Sequence, residues 1–529
     1  VSRRRLIALA ATCAAGALAI PGTAHAAGST PHPAVSQQAV QLPKPAVLSS
    51  TTISGASHTV VSSRAAGART AASALAFTAT QTDAGNAYGV AFDVAVTGSA
   101  GGVTVSASWD GVQDATTTTE PGDGTVTIRH TFAKLGVHTY SITVTDGSQT
   151  ATASGSVAPD GSDYTAYGPT RLLDTRTNKT TLKPNTSIRL KIGGNGGISA
   201  DAVAAVLNLT VTHGSAAGYI TAYPDGSTHP LASNVNFTAN QTVANLSFVP
   251  VGADGYVDFY NGGRGTVDLI ADIDGYFSQA AASGYTPIPP SRLVDTRNGT
   301  GAAKAQIPAT GSIAVQIAGK AGVPAGVTAV ALNVTATGNK SAGYLTTYPD
   351  GSKLPATSNV NFPAGVTVAN AVVVPVGTDG KIRIANGPGL GVDAVVDIAG
   401  YYSTGSTSAF LATDPTRVVD TRTEQPLAAF GGLSLELTKN GTAPLPTALV
   451  YNATIPGATG PGYLAVTPEP TTPPTSLPAV STLNFTKNQT VPNLVQATPG
   501  SQTGNIDFWN VCNTPNNLVV DVFGYYLTY

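Results

Sequence analysis

The chain repeats one ordered set of landmarks three times, and that repetition limits what it can fold into. Arg171-Leu172-Leu173-Asp174-Thr175-Arg176 returns as Arg292-Leu293-Val294-Asp295-Thr296-Arg297 and as Arg417-Val418-Val419-Asp420-Thr421-Arg422, at intervals of 121 and 125 residues. Gly218-Tyr219, Val235-Asn236-Phe237 and Thr242-Val243-Ala244-Asn245 have counterparts in the same order in each copy, those of the third being Gly462-Tyr463, Leu483-Asn484-Phe485 and Thr490-Val491-Pro492-Asn493. Each copy closes on an Asp-x-x-Gly-Tyr-aromatic run that begins at Asp272, Asp397 or Asp521. A propeller blade or solenoid turn has a period of about 20–50 residues, so each copy must be a whole domain. In the first copy, strand-like runs start near Arg171, Ser187, Ala202, Gly218, Ser233, Thr242, Tyr256 and Val267, with Gly, Asn and Pro between them. Eight short strands without helical periodicity predict a jelly-roll-like β-sandwich. The three copies are placed at 164–279, 285–404 and 410–529.

Residues 74–160 read as a separate sandwich of about seven short strands, with Val103-Thr104-Val105 and Ser141-Ile142-Thr143-Val144 alternating in polarity. Trp109-Asp110-Gly111 and His130-Thr131-Phe132, followed by Gly136, Tyr140, Val144 and Asp146-Gly147, resemble the PKD domain, an Ig-like module of secreted proteins. The match is partial, because Val112-Gln113-Asp114 departs from the family's segment after the tryptophan. The resemblance implies a spacer or a weak glycan- or protein-binding module. The three later copies resemble the R-L-L-D-T-R repeats of secreted actinobacterial proteins, a pattern without an assigned activity.

Arg3-Arg4-Arg5, the apolar run Leu6 to Ile20 and Ala24-His25-Ala26 read as an export signal over 1–26, of either the general or the twin-arginine type. The apolar run is too short for a spanning helix, which leaves no transmembrane segment once the signal is removed. Residues 27–73, rich in Ala, Ser, Thr and Pro, read as a flexible linker. The expected location is secreted or on the cell surface. After removal of the signal one cysteine remains, Cys512, which rules out an internal disulfide.

Charged residues make up only 11% of the chain and the net charge is −2, so there is no basic field for nucleic acid. The four glutamates are Glu120, Glu424, Glu436 and Glu469, and the second and third copies hold no histidine. A repeated pair of glutamates, a histidine triad or a histidine metal site is therefore unavailable, and no nucleotide or hydrolase motif is present. The expectation is a non-enzyme with no catalytic residue, no metal and no cofactor.

Two patterns remain as candidate sites. Along Tyr219-Ile220-Thr221-Ala222-Tyr223 the tyrosines share one strand face, as Tyr344 and Tyr348 do in the second copy, while the third keeps Tyr463. If Ile220 points inward, these tyrosines form a platform on which sugar rings can stack; otherwise they fill the space between the sheets. Arg171, Arg292 and Arg417 open the copies that Asp272, Asp397 and Asp521 close, which predicts three structural ion pairs between first and last strands. The recurring Asn208, Asn333 and Asn452 are expected to satisfy buried backbone. Together these features predict a secreted modular protein that binds polysaccharide or the cell envelope weakly and in several places. The competing expectations are a spacer that self-associates and a hydrolase with an unfamiliar site.

Overall fold

The computed structural model describes residues 5–6, 34–45, 52–56, 74–120, 122–438, 445–471 and 476–528. The export signal expected over 1–26 lies outside these, apart from Arg5–Leu6. Each repeat is a two-sheet sandwich of eight antiparallel strands. In unit 1 these are Asp163–Asp174, Ser187–Lys191, Ala202–Thr212, Gly218–Pro224, Val235–Phe237, Val243–Pro250, Tyr256–Asn261 and Asp268–Ser278. One sheet has the strand order first, eighth, third, sixth; the other has second, seventh, fourth, fifth. Units 2 and 3 repeat both orders, and unit 3 extends its second sheet with further strands. Two Greek keys folded into one double sheet in this way form a jelly roll.

Alternation decides which face goes where. In Ala202–Thr212, Ala205, Leu207, Leu209 and Val211 point into the sandwich, where they meet Ile220, Ala222, Val257 and Phe259 of the facing sheet. Ala204, Val206 and Asn208 point the other way, yet they are buried as well. A sheet buried on both faces needs a second partner, and here that partner is the neighbouring repeats. Tyr164, Phe248 and Phe277 of unit 1, Tyr285 and Tyr402 of unit 2, and Phe410, Phe523 and Tyr526 of unit 3 belong to one common core. The sixth strands, Val243–Pro250, Val368–Pro375 and Val491–Ala497, contact one another pairwise. The first strands touch in a cycle, through Tyr164 with Ser283, Tyr285 with Ser408, and Ser162 with Phe410. The three units therefore close around a pseudo-threefold axis rather than standing as beads on a string.

The first sandwich pairs the sheet Thr150–Val157, His138–Thr145, Val103–Trp109, Val112–Glu120 with the sheet Thr52–Ala56, Ala76–Thr82, Gly89–Thr97, Gly124–Thr131. Trp109 is buried, with the His130 ring stacked on it at 5.0 Å between centroids. Ala87, Tyr88 and Leu135 of this sandwich join the core of unit 3 beside Leu411 and Tyr525.

The linker expected over 27–73 needs correction where it is described. Ala34–Gln41 runs parallel to Gly432–Thr438 and adds a strand to the second sheet of unit 3, and Thr52–Ala56 is an edge strand of the first sandwich. Val35 and Val40 lie on opposite faces of their strand and are both buried, Val35 near Trp509 and Val40 in the unit 3 core. Two valines on opposite faces do not stand out in an Ala/Ser/Thr-rich segment, because the sheet they complete lies about 400 residues further along the chain.

Two predictions follow from this packing. A single unit cut from its neighbours (285–404) exposes its share of the common core, among it Tyr285, Ala329, Val373 and Tyr402, so it should show no cooperative thermal transition under conditions in which 164–529 does, measured by circular dichroism. The second concerns Asp160, which is buried where the first sandwich meets the repeats and has an unpartnered Oδ1. Burial, then the charge of Asp83, pushes its carboxyl up to about 7. The folded state thus holds a proton that the unfolded chain releases near pH 4. Stability should fall by a few kcal/mol as pH rises from about 4 to about 7, and Asp160→Asn should flatten that slope in denaturant titrations.

Candidate functional site

Two layers of side chains are candidates for function: the polar row between the units and the solvent-facing sheet of each unit. The row runs across the axis-facing sheet. Arg171 pairs across strands with Asp272, Asp272 with Asn208, and Asn208 with Leu246. The Nε of Arg171 donates to Asp272 Oδ1 at 2.8 Å and its terminal nitrogen to Oδ2 at 3.2 Å. Arg292 holds Asp397 at 2.6 and 3.3 Å, and Arg417 holds Asp521 at 2.8 and 3.1 Å. Burial raises each of the three carboxyls, opposed by the arginine hydrogen bonds. The motif's own aspartate and its second arginine form a further pair: Asp174 accepts from Arg176, which holds its carboxyl below the usual range.

The asparagines carry the row into the next unit. Asn208 donates to Ser358 O at 2.6 Å, Asn333 to Ser481 O at 2.7 Å and Asn452 to Ser233 O at 2.7 Å. In return, Asn370 donates to Asn208 Oδ1, Asn493 to Asn333 Oδ1 and Asn245 to Asn452 Oδ1, at 3.1, 2.9 and 3.0 Å. Arg417 and Arg292 also reach across, to Leu231 O and Ala479 O. This row is a lock between units, and its charged groups are already paired with one another.

On the solvent side, the candidate tyrosines divide into two groups. Tyr223 and Tyr348 are buried. Tyr223 shares a hydrogen bond with Ser187 Oγ at 3.0 Å, and Thr221 between the two tyrosines is sealed by a bond to Ala232 O. Residues 225–234 therefore fold over this part of the strand, and no continuous row of exposed tyrosines forms. Tyr219, Tyr344 and Tyr463 keep part of their rings open, with Tyr344 37% exposed. Tyr219 packs on Gly262 and Tyr344 on Gly387, where an added Cβ would sit 2.1 and 2.7 Å from ring atoms. Tyr463 donates to Pro478 O at 3.0 Å.

Sequence reasoning missed the neighbouring strand. Tyr256, Asp258 and Tyr260 alternate along Tyr256–Asn261 on the same outer face and are all partly exposed. The Arg189 guanidinium lies 4.2 Å and Lys191 Nζ 4.5 Å from the centre of the Tyr256 ring. His229 stacks on Tyr260 at 4.4 Å. Arg189 is held by Asp225 and Asp254. Asp258 leaves a buried Oδ1 without a partner, and burial, then the charge of Asp225, pushes its carboxyl up to about 6. The equivalents in unit 2 are Lys381, Arg383 and Ala385, and in unit 3 Asn505, Asp507 and Trp509. The signal was present as an i, i+2, i+4 alternation, but it occurs in one unit only, and attention to what repeats passes over it. Trp509 is buried among Val35, Ala465 and Val511. Cys512 is a buried free thiol.

Among the described residues no group of three or more His, Cys, Asp or Glu side chains is placed to hold a metal ion. Among those residues no helix is long and apolar enough to cross a membrane. No known protein family profile matches the chain, and no curated protein matches it. A solved structure with some likeness is the N-terminal CBM22-1-CBM22-2 tandem domain of Xyn10C from Paenibacillus barcinonensis. It has 10% identity and a TM-score of 0.14, and covers 51% of this chain and 92% of that one. A likeness of that size carries no argument about function.

The ion pair provides the test of the lock. Arg292→Ala leaves Asp397 buried and uncompensated and should cost about 3–5 kcal/mol in denaturant unfolding. Replacing Arg292 and Asp397 together by Met and Leu should cost much less, because no charge is left unpaired.

Proposed function

We propose that the chain is a secreted, non-catalytic protein that grips polysaccharide or a cell-envelope surface through several weak contacts on its solvent-facing sheets. The observation that carries this reading is the outer face of unit 1, where Tyr256 and Tyr260 alternate with Asp258 and are flanked by Arg189, Lys191 and His229. Aromatic rings offer the C–H faces of a sugar an apolar surface, while carboxylate and guanidinium groups beside them bind hydroxyls. Tyr219, Tyr344 and Tyr463 stand at equivalent positions around the axis, each partly open, and add three further contacts. Contacts fixed on one rigid body bind together, so weak sites add up to useful retention. The PKD-like first sandwich, packed on unit 3, serves in this reading as a spacer.

A second reading has one specific observation in its favour. The axis-facing residues that recur in all three copies, the Arg–Asp pairs and the asparagines, bond to one another and to backbone. That is what a structural spacer needs. The two readings separate in a pull-down on insoluble glycans and purified cell wall with the full chain. Tyr256→Ala/Tyr260→Ala should reduce retention several-fold with an unchanged melting temperature, since stacking is worth about 0.5–1.5 kcal/mol per ring. Tyr219→Ala, Tyr344→Ala and Tyr463→Ala should each cost less alone than in combination. Wild-type protein that passes through every matrix unretained would favour the spacer.

A further inference from the structure

The three clefts between units are built from equivalent positions but filled in different ways. The residue before the last-strand glycine is the extra residue of a β-bulge: Asp274 before Gly275, Ala399 before Gly400 and Phe523 before Gly524. Between units 2 and 3 this position opens onto a cavity, lined by Ala331, Ala371 and Ala399 from one side and Val466, Val480 and Leu494 from the other. Cross-strand register identifies the counterparts of the three alanines. They are Val206, Leu246 and Asp274 in unit 1, and Val450, Leu494 and Phe523 in unit 3. Unit 2 thus has the smaller residue at all three positions, and only there.

Phe523 shows what such a cleft accepts when it is full. Its ring is 1% exposed and shares a buried cluster with Ala232, which occupies in unit 1 the place of Val480. Between units 2 and 3 no side chain of the described residues replaces that ring. About 50 Å³ remains in which the centre of a water-sized sphere can move. At about 10–15 Å³ of such space per water, that is room for on the order of four waters, the size class of one aromatic ring. The walls are mainly apolar, with one unmet polar atom, since Thr498 lines the cavity and its Oγ1 is buried without a partner. Thr467, Pro468 and Thr498 are half-exposed lining residues, so the cavity reaches solvent on that side.

We propose that this cleft is a binding pocket for a compact aromatic group bearing a hydroxyl, of the benzyl alcohol type. The ring lies against Ala399 where the sister cleft holds the Phe523 ring, and the hydroxyl meets Thr498 Oγ1. The pocket shares the strand Gly462–Pro468 with the solvent-facing sheet of unit 3 but lies apart from the Tyr256–Tyr260 face of unit 1, and it does not depend on that reading.

The test is a titration of the full chain with benzyl alcohol, followed by NMR of labelled alanine and valine methyl groups. The expected result is saturable shifts at Ala399, Val466 and Val480, with no comparable shifts around Ala222 and Ala232. Ala399→Phe supplies the missing ring from within, so it should raise the melting temperature and weaken benzyl alcohol binding at least about tenfold. Thr498→Val keeps the void and removes the hydroxyl, so it should weaken benzyl alcohol more than toluene; this keeps the test valid if Ala399→Phe folds poorly. Absence of saturable shifts in the wild type overturns the proposal, as does equal binding of benzyl alcohol by both variants and the wild type.

Discussion

A buried row of polar side chains needs partners, and in this protein the last partner of each row lies in the next repeat. Arginine neutralises aspartate, aspartate stands beside asparagine, and the asparagine amide finds its acceptor on a serine carbonyl one unit away. A buried amide without such an acceptor costs about 1–3 kcal/mol, so three rows strongly favour the closed ring over separated units. Apolar burial supplies most of the driving force through the shared aromatic core. The rows supply direction, because the third-strand asparagine of unit 1 finds its serine carbonyl in unit 2, that of unit 2 in unit 3 and that of unit 3 in unit 1.

This arrangement changes what repetition means. Tandem copies invite the thought of equal binding sites strung along a chain, but the recurring residues at the axis hold the assembly together. The features peculiar to one copy include the Tyr256–Tyr260 face of unit 1, the alanine-lined cleft after unit 2 and the extra strand on unit 3. The Arg–Asp–Asn row is thus constant while the packing around it is not, since the buried position of Phe248 is Val373 in unit 2 and Gln496 in unit 3.

Much of this was legible in the sequence, for local reasons. Strand starts followed from alternation and from Gly, Asn and Pro punctuation, which depend on neighbours a few residues apart. The Arg171 and Asp272 pattern pointed to an ion pair because the first and last strands of a jelly roll lie side by side, and a bond joins the two residues in the structure. Long-range geometry was not legible. Asn208 was readable as a satisfier of backbone, but nothing near it names Ser358, 150 residues away. Period-two alternation put Tyr219 and Tyr223 on one face, but it could not show that residues 225–234 fold back over Tyr223. A strand such as Ala34–Gln41, completed by a sheet formed hundreds of residues later, carries almost no local mark of its partner.

That strand also governs how the molecule bears force. Ala34–Gln41 lies in parallel register with Gly432–Thr438, so tension on the segment before Ala34 enters the assembly at unit 3. The load there is shared by a whole row of backbone hydrogen bonds pulled in shear, rather than opened one at a time. A tug at that segment is met first by the strand pairing with unit 3, a different domain from the one that bears Tyr256 and Tyr260.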